Sequence, residues 1–356
     1  MLATNKLPRA PATLRKLDQY VQTRATRVMR PCARRLVRAM QQGLSVEAPG
    51  VLLVRLRHLR PQWLTCGEAM LREVVTHALA AARRVFLRQL RRHASLQRQR
   101  ALFGANESDD EDNDEPDVWP GIAEALAGVQ TRLLYYPDAW GLTPLERFAR
   151  QETVTSRELG VRLQETDRQW QALLLLLRGL VVLRGDHLRY ALREIAHVGR
   201  SALAASPVHK RRFLDVLRHA RQASENDAPL DARTLRALED IADAGHDAAR
   251  EVIVQEQLEQ RALRRAEVLM RTLAAQAYAL AMRALAERAG IQYMRWGLSS
   301  AHPKPDQCDE YAAEDQGYGE GVYQLASLPA YPAHPRCLCE LVILWPEYEE
   351  SGEDTP

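Results

Sequence analysis

The sequence predicts a mainly α protein, in which long helices precede a small C-terminal α+β domain containing a short β pair and a Cys/His-stapled loop. Three observations lead there. Aromatic residues make up only 6% of the chain while Ala, Leu and Arg dominate, a composition of strong helix formers that argues against an all-β architecture. From Asp231 to Ala289 there is no proline and a single glycine, Gly245, and apolar residues recur at helical steps. Between Ile291 and Trp345, by contrast, Pro303, Pro305, Pro329, Pro332, Pro335, Gly317, Gly319 and Gly321 crowd together with three of the five cysteines.

At 356 residues, with 46% hydrophobic and 27% charged residues, the chain can hold two or three domains and bury a sizeable core. The first, 1–106, is a basic helical region. It holds 21 Lys and Arg against four acids, Asp18, Glu47, Glu68 and Glu73; with +3 for the whole chain, the remainder carries −14. Arg24, Arg27, Arg30, Arg34, Arg35 and Arg38, then Arg83, Arg84, Arg88, Arg91, Arg92, Arg98 and Arg100, repeat at three or four residues along helix faces. Such faces suit the phosphates of double-stranded DNA or an acidic protein, and equally a solvated face of Arg stems over a helical core. Helices are expected at about 12–43 and 62–101, broken by Gly43 to Gly50 and by Arg60-Pro61; for Val51 to Leu56, periodicity leaves strand and helix open.

Residues 107–118 read as an acidic linker, since eight acids in the eleven residues from Glu107 to Asp117 repel one another. The helical core region, 119–230, has Thr143 as N-cap with Pro144 at the first helical position, and a second capping pattern from Thr155 to Glu158. That rhythm is compatible with a helix-turn-helix, although a plain helical core accounts for it better. Leu173 to Leu183 is interrupted by Arg178 and Gly179 and reads as a core helix rather than a membrane span. The third region, 231–346, begins with the long helix, whose Leu263, Ala266, Met270, Leu273, Ala277, Leu280 and Ala284 form a narrow apolar seam, with Gly290 as its stop. Residues 347–356 form an acidic tail.

Short strands are expected at Ile291 to Trp296 and Leu341 to Trp345, with a helix-free excursion between them. Cys308, His334, Cys337 and Cys339 supply a Cys3His set, and a structural zinc is an economical cross-link for a lobe with little core of its own. Asp306, Asp309 or His302 are substitutes for one ligand. A Cys308 disulfide with Cys337 or Cys339, and free buried thiols, are the bland alternatives. Cys32 and Cys66 stand isolated in helical sequence, and five cysteines make no secreted disulfide framework, so a reducing compartment is expected. The N-terminus lacks the apolar core of a signal peptide.

Arg271-Thr272 in a long helix, Gly290, a strand ending at Trp296, Asp306-x-Cys308, Asp315 with Gly317, Leu328-Pro329 and Pro332-x-His334-Pro335-x-Cys337-x-Cys339 follow in that order. Over about the last ninety residues this resembles the C-terminal domain of phage head morphogenesis proteins, the Mu gpF-like or SPP1-type minor head proteins. Leu273 stands where that family often has an acid, and Tyr311 where it has a second cysteine. The resemblance implies a phage or prophage minor head (capsid) protein. Its partners would be the portal and other capsid proteins, with packaged DNA met through the Arg-rich N-terminal helices. It would reside in the virion, at the head interior or portal vertex, and in the host cytoplasm during assembly.

No HExxH, GxSxG, GxxxxGK or GxGxxG occurs, and the PRCLC run lacks the two-residue gap of a zinc deaminase, so the expectation is no enzyme, no small-molecule substrate and no membrane. The other readings are a zinc-dependent enzyme or toxin module behind a head-morphogenesis domain, and a sequence-nonspecific DNA-binding protein.

Overall fold

Residues 12–44, 47–101, 121–137, 141–223, 230–299, 305–335 and 337–345 are described by the computed structural model. The acidic linker 107–118, the tail 347–356 and His302 lie outside them. Helix α1 (Ala12–Gln41) buries Leu14, Leu17, Val21, Ala25 and Met29 at steps of three and four, one face of an amphipathic helix. Helix α2 (Pro49–Ala101) starts well before residue 62, the start expected for the second helix, and runs without the break expected at Arg60-Pro61. An interior proline costs about 3 kcal/mol. Leu52 and Leu56 before it and Trp63 and Met70 after it are all buried, and each such side chain returns about 1.5–3 kcal/mol, so the proline is outweighed and Val51 to Leu56 is helix.

Helix α3 (Ile122–Tyr135) follows, then α4 (Pro144–Gly179). The α4 capping box forms as predicted: the Thr143 amide donates to Glu146 Oε2 at 2.7 Å and the Glu146 amide to Thr143 Oγ1 at 3.2 Å. The second capping pattern does not form. Thr155 is buried in mid-helix, where its hydroxyl donates to the Gln151 carbonyl at 2.9 Å and accepts from Arg265 Nη1 at 2.8 Å. With its hydroxyl satisfied inside the helix, Thr155 starts nothing, and the helix-turn-helix is absent.

Helices α5 (Gly185–Ala202), α6 (Pro207–Ala223) and α7 (Ala232–Gln255) come next. Asp231 caps α7 by accepting from the Thr234 amide at 2.8 Å. A π-helical turn, Glu256–Arg261, then leads without interruption into α8 (Ala262–Arg288). Helix α8 is not the narrow seam expected. Ala266, Met270, Leu273 and Ala277 are buried, but so are Ala274, Tyr278, Ala279, Ala281, Met282 and Leu285, while Leu263, Leu280 and Ala284 are only half-buried. A helix buried nearly all round needs neighbours on several sides, and its alanines allow their close approach. The stop is as read: Gly290, at φ +70°, donates to the Glu287 carbonyl, and the Ile291 amide reaches back to Ala286 at 3.0 Å.

Two compact units result, each discontinuous in sequence, so they cut across the segments 1–106, 119–230 and 231–346. One comprises Met29–Cys66 and Ala149–Arg265. Its core gathers Leu173, Leu177, Leu188, Ile195, Phe213 and Leu238 from α4 to α7. In it Cys32 and Cys66, read as isolated thiols, are joined by a disulfide. Their 34-residue separation hides from the sequence that α1 and α2 place them together.

The other unit comprises Met1–Val28, Gly67–Phe148 and Ala266–Pro356. Here Tyr20 and Arg24 of α1 both donate to Glu73 Oε1 of α2, at 2.8 and 2.5 Å, and Arg271 of α8 grips Asp18 through Nε and Nη2 at 2.5 and 2.7 Å. After α8 comes β1 (Tyr293–Gly297), flanked by antiparallel β2 (Val322–Gln324) and β3 (Glu340–Leu344) in the order β2-β1-β3. The predicted pair is β1 with β3. The third strand, and helix α9 (Gln307–Ala313), fall in the excursion expected to have neither ladder nor helix. Met294 opposes Tyr323 on one side and Ile343 on the other, and Trp296 opposes Leu341; all five are buried, forming the inner face of the sheet.

Candidate metal centre

Helix α9 packs against β1. It is seven residues long and depends on its cap: Asp306 Oδ1 accepts from the Cys308 amide at 2.7 Å, while Asp309 Oδ2 accepts from the Asp306 amide at 2.7 Å. Asp309 is thereby used in capping. Cys308 lies at the start of α9 with its side chain fully buried. The turn that follows is organised by Asp315, whose Oδ1 accepts from the Gly317 and Gly319 amides at 2.8 and 2.9 Å. Both glycines have positive φ, which that turn requires.

Tyr311 packs its ring edge-on against Trp296 with centroids 4.9 Å apart, and its carbonyl accepts from Tyr323 Oη at 2.7 Å. Tyr331 covers another side of Trp296 at 5.4 Å and donates its hydroxyl to the Cys339 carbonyl. From there the chain brings His334, Cys337 and Cys339 back towards Cys308, directly before β3.

The sulfurs of Cys308, Cys337 and Cys339 lie within 4.8 Å of one another, and all three residues are buried. Cys308 Sγ and Cys337 Sγ are 3.5 Å apart. A tetrahedral zinc with Zn–S about 2.3 Å separates its sulfur ligands by roughly 3.7 Å, so this edge already has the dimension of a metal–thiolate site. The three sulfurs can therefore hold a metal ion. Burial pushes the Cys308 thiol up to about 12, with Cys339 adding to the effect and the hydrogen bond with Cys337 opposing it. Cys339 is raised by its hydrogen bond with Cys337 and by burial, against a backbone hydrogen bond from Ser299. Binding of a cation would displace these protons, and the Ser299 amide is placed to stabilise a thiolate.

His334 joins the cluster from one side. It forms a second group with Asp306 and Cys308, also within 4.8 Å, so the two sets share Cys308. Its Nδ1 lies 3.0 Å from the Pro335 carbonyl and can only donate there; its Nε2 lies 3.1 Å from Asp306 Oδ2. The imidazole edge facing the carboxylate therefore needs either a proton or a cation. Of the four predicted ligands, the three cysteines converge, and His334 stands beside Cys308 together with Asp306. Asp306 is the substitute that the fold brings in. Sequence order gave no sign of Ser299 or Tyr331, which reach Cys339 through a backbone amide and a side-chain hydroxyl respectively.

No protein-family model, curated protein or solved structure matches the chain. Glu340, the residue after Cys339, is buried opposite Gly297, and burial pushes its carboxyl up to about 8 against the lowering effect of Arg15. Among the described residues, no helix is long and apolar enough to cross a membrane.

Proposed function

We propose that this chain is a phage or prophage minor head protein that acts in head morphogenesis with the portal and other capsid proteins, and that its C-terminal lobe is stapled by a structural zinc. One observation carries the reading. Cys308, Cys337 and Cys339, spread over the C-terminal motif, gather in one buried cluster, and Asp306 and His334 form a second group that shares Cys308. Cys308, Cys337 and Cys339 would supply three ligands and His334 Nε2 the fourth, with the Pro335 carbonyl holding the imidazole through Nδ1. Zinc enclosed by four protein ligands would stiffen a lobe whose described residues offer a three-stranded sheet and one short helix, and would leave no open position for a substrate.

Two measurements test it. Metal analysis of the purified chain should find about one zinc per molecule, and Cys337→Ser or a strong chelator should cost more than about 3 kcal/mol of stability, a fraction of the roughly 10–16 kcal/mol that structural zinc supplies in small domains. Unchanged stability in both cases would remove the staple. For the assembly role, phage particles induced from the encoding host should contain the chain at a few copies per head by quantitative mass spectrometry. Its absence from both procapsids and mature heads would overturn the reading.

A further inference from the structure

The acid-free second half of α2 presents a surface that the metal centre does not use. After Glu73 no Asp or Glu occurs through Ala101. On one side Ala78, Ala82, Val85 and Phe86 are buried, and Trp345, just after β3, packs its ring against Phe86 and His93 with centroids 5.8 and 5.0 Å apart. On the other side Arg83, Arg84, Arg88 and Arg91 are exposed, and none of the four forms an ion pair with a described residue. Several arginines elsewhere are engaged by acids. Arg24 is paired with Glu73, Arg55 with Glu47, Arg60 with Glu152 and Arg271 with Asp18. On α1, Arg34 and Arg38 line a groove with Glu251 and Glu259, and Arg34 is bound to Glu259 at 3.0 Å, so acids offset the charge there.

We propose that the Arg83–Arg84–Arg88–Arg91 face of α2 is a docking surface for the phosphate backbone of duplex DNA, indifferent to base sequence. This deepens the head-morphogenesis reading by naming the surface that meets packaged DNA. Arg84, Arg88 and Arg91 lie about one helical turn apart and span about 10 Å, a length over which duplex DNA presents roughly six charges. Guanidinium groups engage phosphate oxygens in pairs, an advantage over lysine. The buried ring of Phe86 is turned away from this face, and no other aromatic residue lies between Arg83 and Arg92, so bases have nothing to stack on. Binding through phosphates alone is the consequence.

Fluorescence anisotropy of a labelled 30-base-pair duplex of arbitrary sequence, titrated with the full chain from about 50 to 200 mM salt, tests the proposal. A triple R84Q/R88Q/R91Q variant should bind about tenfold or more weakly at low salt, and its log–log salt slope should be shallower by about 2.7, or 0.9 for each lost contact. A second duplex of different sequence should bind equally well, and R34Q/R38Q should behave as the parent. Circular dichroism melts of the triple variant should match the parent, since only exposed side chains change. An unchanged slope, or a parent that binds no duplex at low salt, would overturn the proposal. If the parent ignores DNA while the triple variant is lost from phage heads, the surface serves an acidic protein, which also overturns it. Because DNA binding is read on purified protein and incorporation on particles, either reading can fail without the other.

Discussion

At Gly321 the chain passes where no side chain fits. Its φ is +68°, and an added Cβ would stand 2.9 Å from the Ala312 carbonyl oxygen and 3.0 Å from that of Trp296. Its own amide donates to the Glu314 carbonyl and its carbonyl accepts from the Trp296 amide, both at 2.8 Å. Gly321→Ala should therefore destabilise the lobe by about 1–3 kcal/mol in a denaturant titration, with the tryptophan fluorescence of the C-terminal sheet reporting it. A variant as stable as the parent would mean that the backbone can relax there. The glycine was legible in the sequence as a helix breaker, but not its two carbonyl neighbours, which belong to α9 and β1. The cysteines show the same division. That Cys308, Cys337 and Cys339 act together was readable from their types and from the proline-broken stretch that holds them. That Asp306 caps α9 with one oxygen while meeting His334 with the other depends on a side-chain geometry that spacing does not encode.

Helices were the readable elements, and their exceptions have identifiable physical causes. Helix α2 continues through Pro61 because buried residues on both sides outweigh one lost hydrogen bond, and local propensity cannot see that burial. Helix α8 reads as a seam from periodicity alone, whereas it is buried nearly all round and holds α1 with one charged residue. Arg271 forms a two-pronged pair with Asp18 and a third contact with Glu267 at 3.0 Å, and all three side chains are mostly buried. Removing one partner leaves the other charge desolvated, so Arg271→Ala should cost about 3 kcal/mol in urea unfolding. Asp18→Ala should cost less when added to Arg271→Ala than it does alone, a coupling that a double-mutant cycle measures. Strictly additive effects would show that the pair is not a unit. The sequence offered no signal for it, because 253 residues separate the partners. Strand β2 was missed for a related reason: three residues between glycines and a 3-10 turn carry too little pattern to register, and they become a strand only because β1 offers them an edge.

For the molecule as a whole, the five cysteines fall into two chemically separate sets. Cys32 and Cys66 share a disulfide, whereas Cys308, Cys337 and Cys339 are free thiols in the other unit. Unfolded without reductant and with a chelator present, the chain should show three thiols to a thiol-specific reagent, and five after reduction; five before reduction would place Cys32 and Cys66 apart. Closing a loop of this length should contribute on the order of 3–4 kcal/mol in the chain-entropy picture, so reduction should lower the melting temperature. The sequence by itself determined the helical class, several helix ends, the basic character of the first hundred residues and the cysteine-rich terminal lobe. Those follow from local propensity, capping and composition, which act over a few residues. Only the tertiary structure decided that two units interleave stretches from distant parts of the chain, that Asp18 meets Arg271, that Cys32 meets Cys66, and that three sulfurs converge beside β1. Each of these is an encounter between residues far apart in the chain, and its energy exists only once packing has brought the partners within a few ångströms.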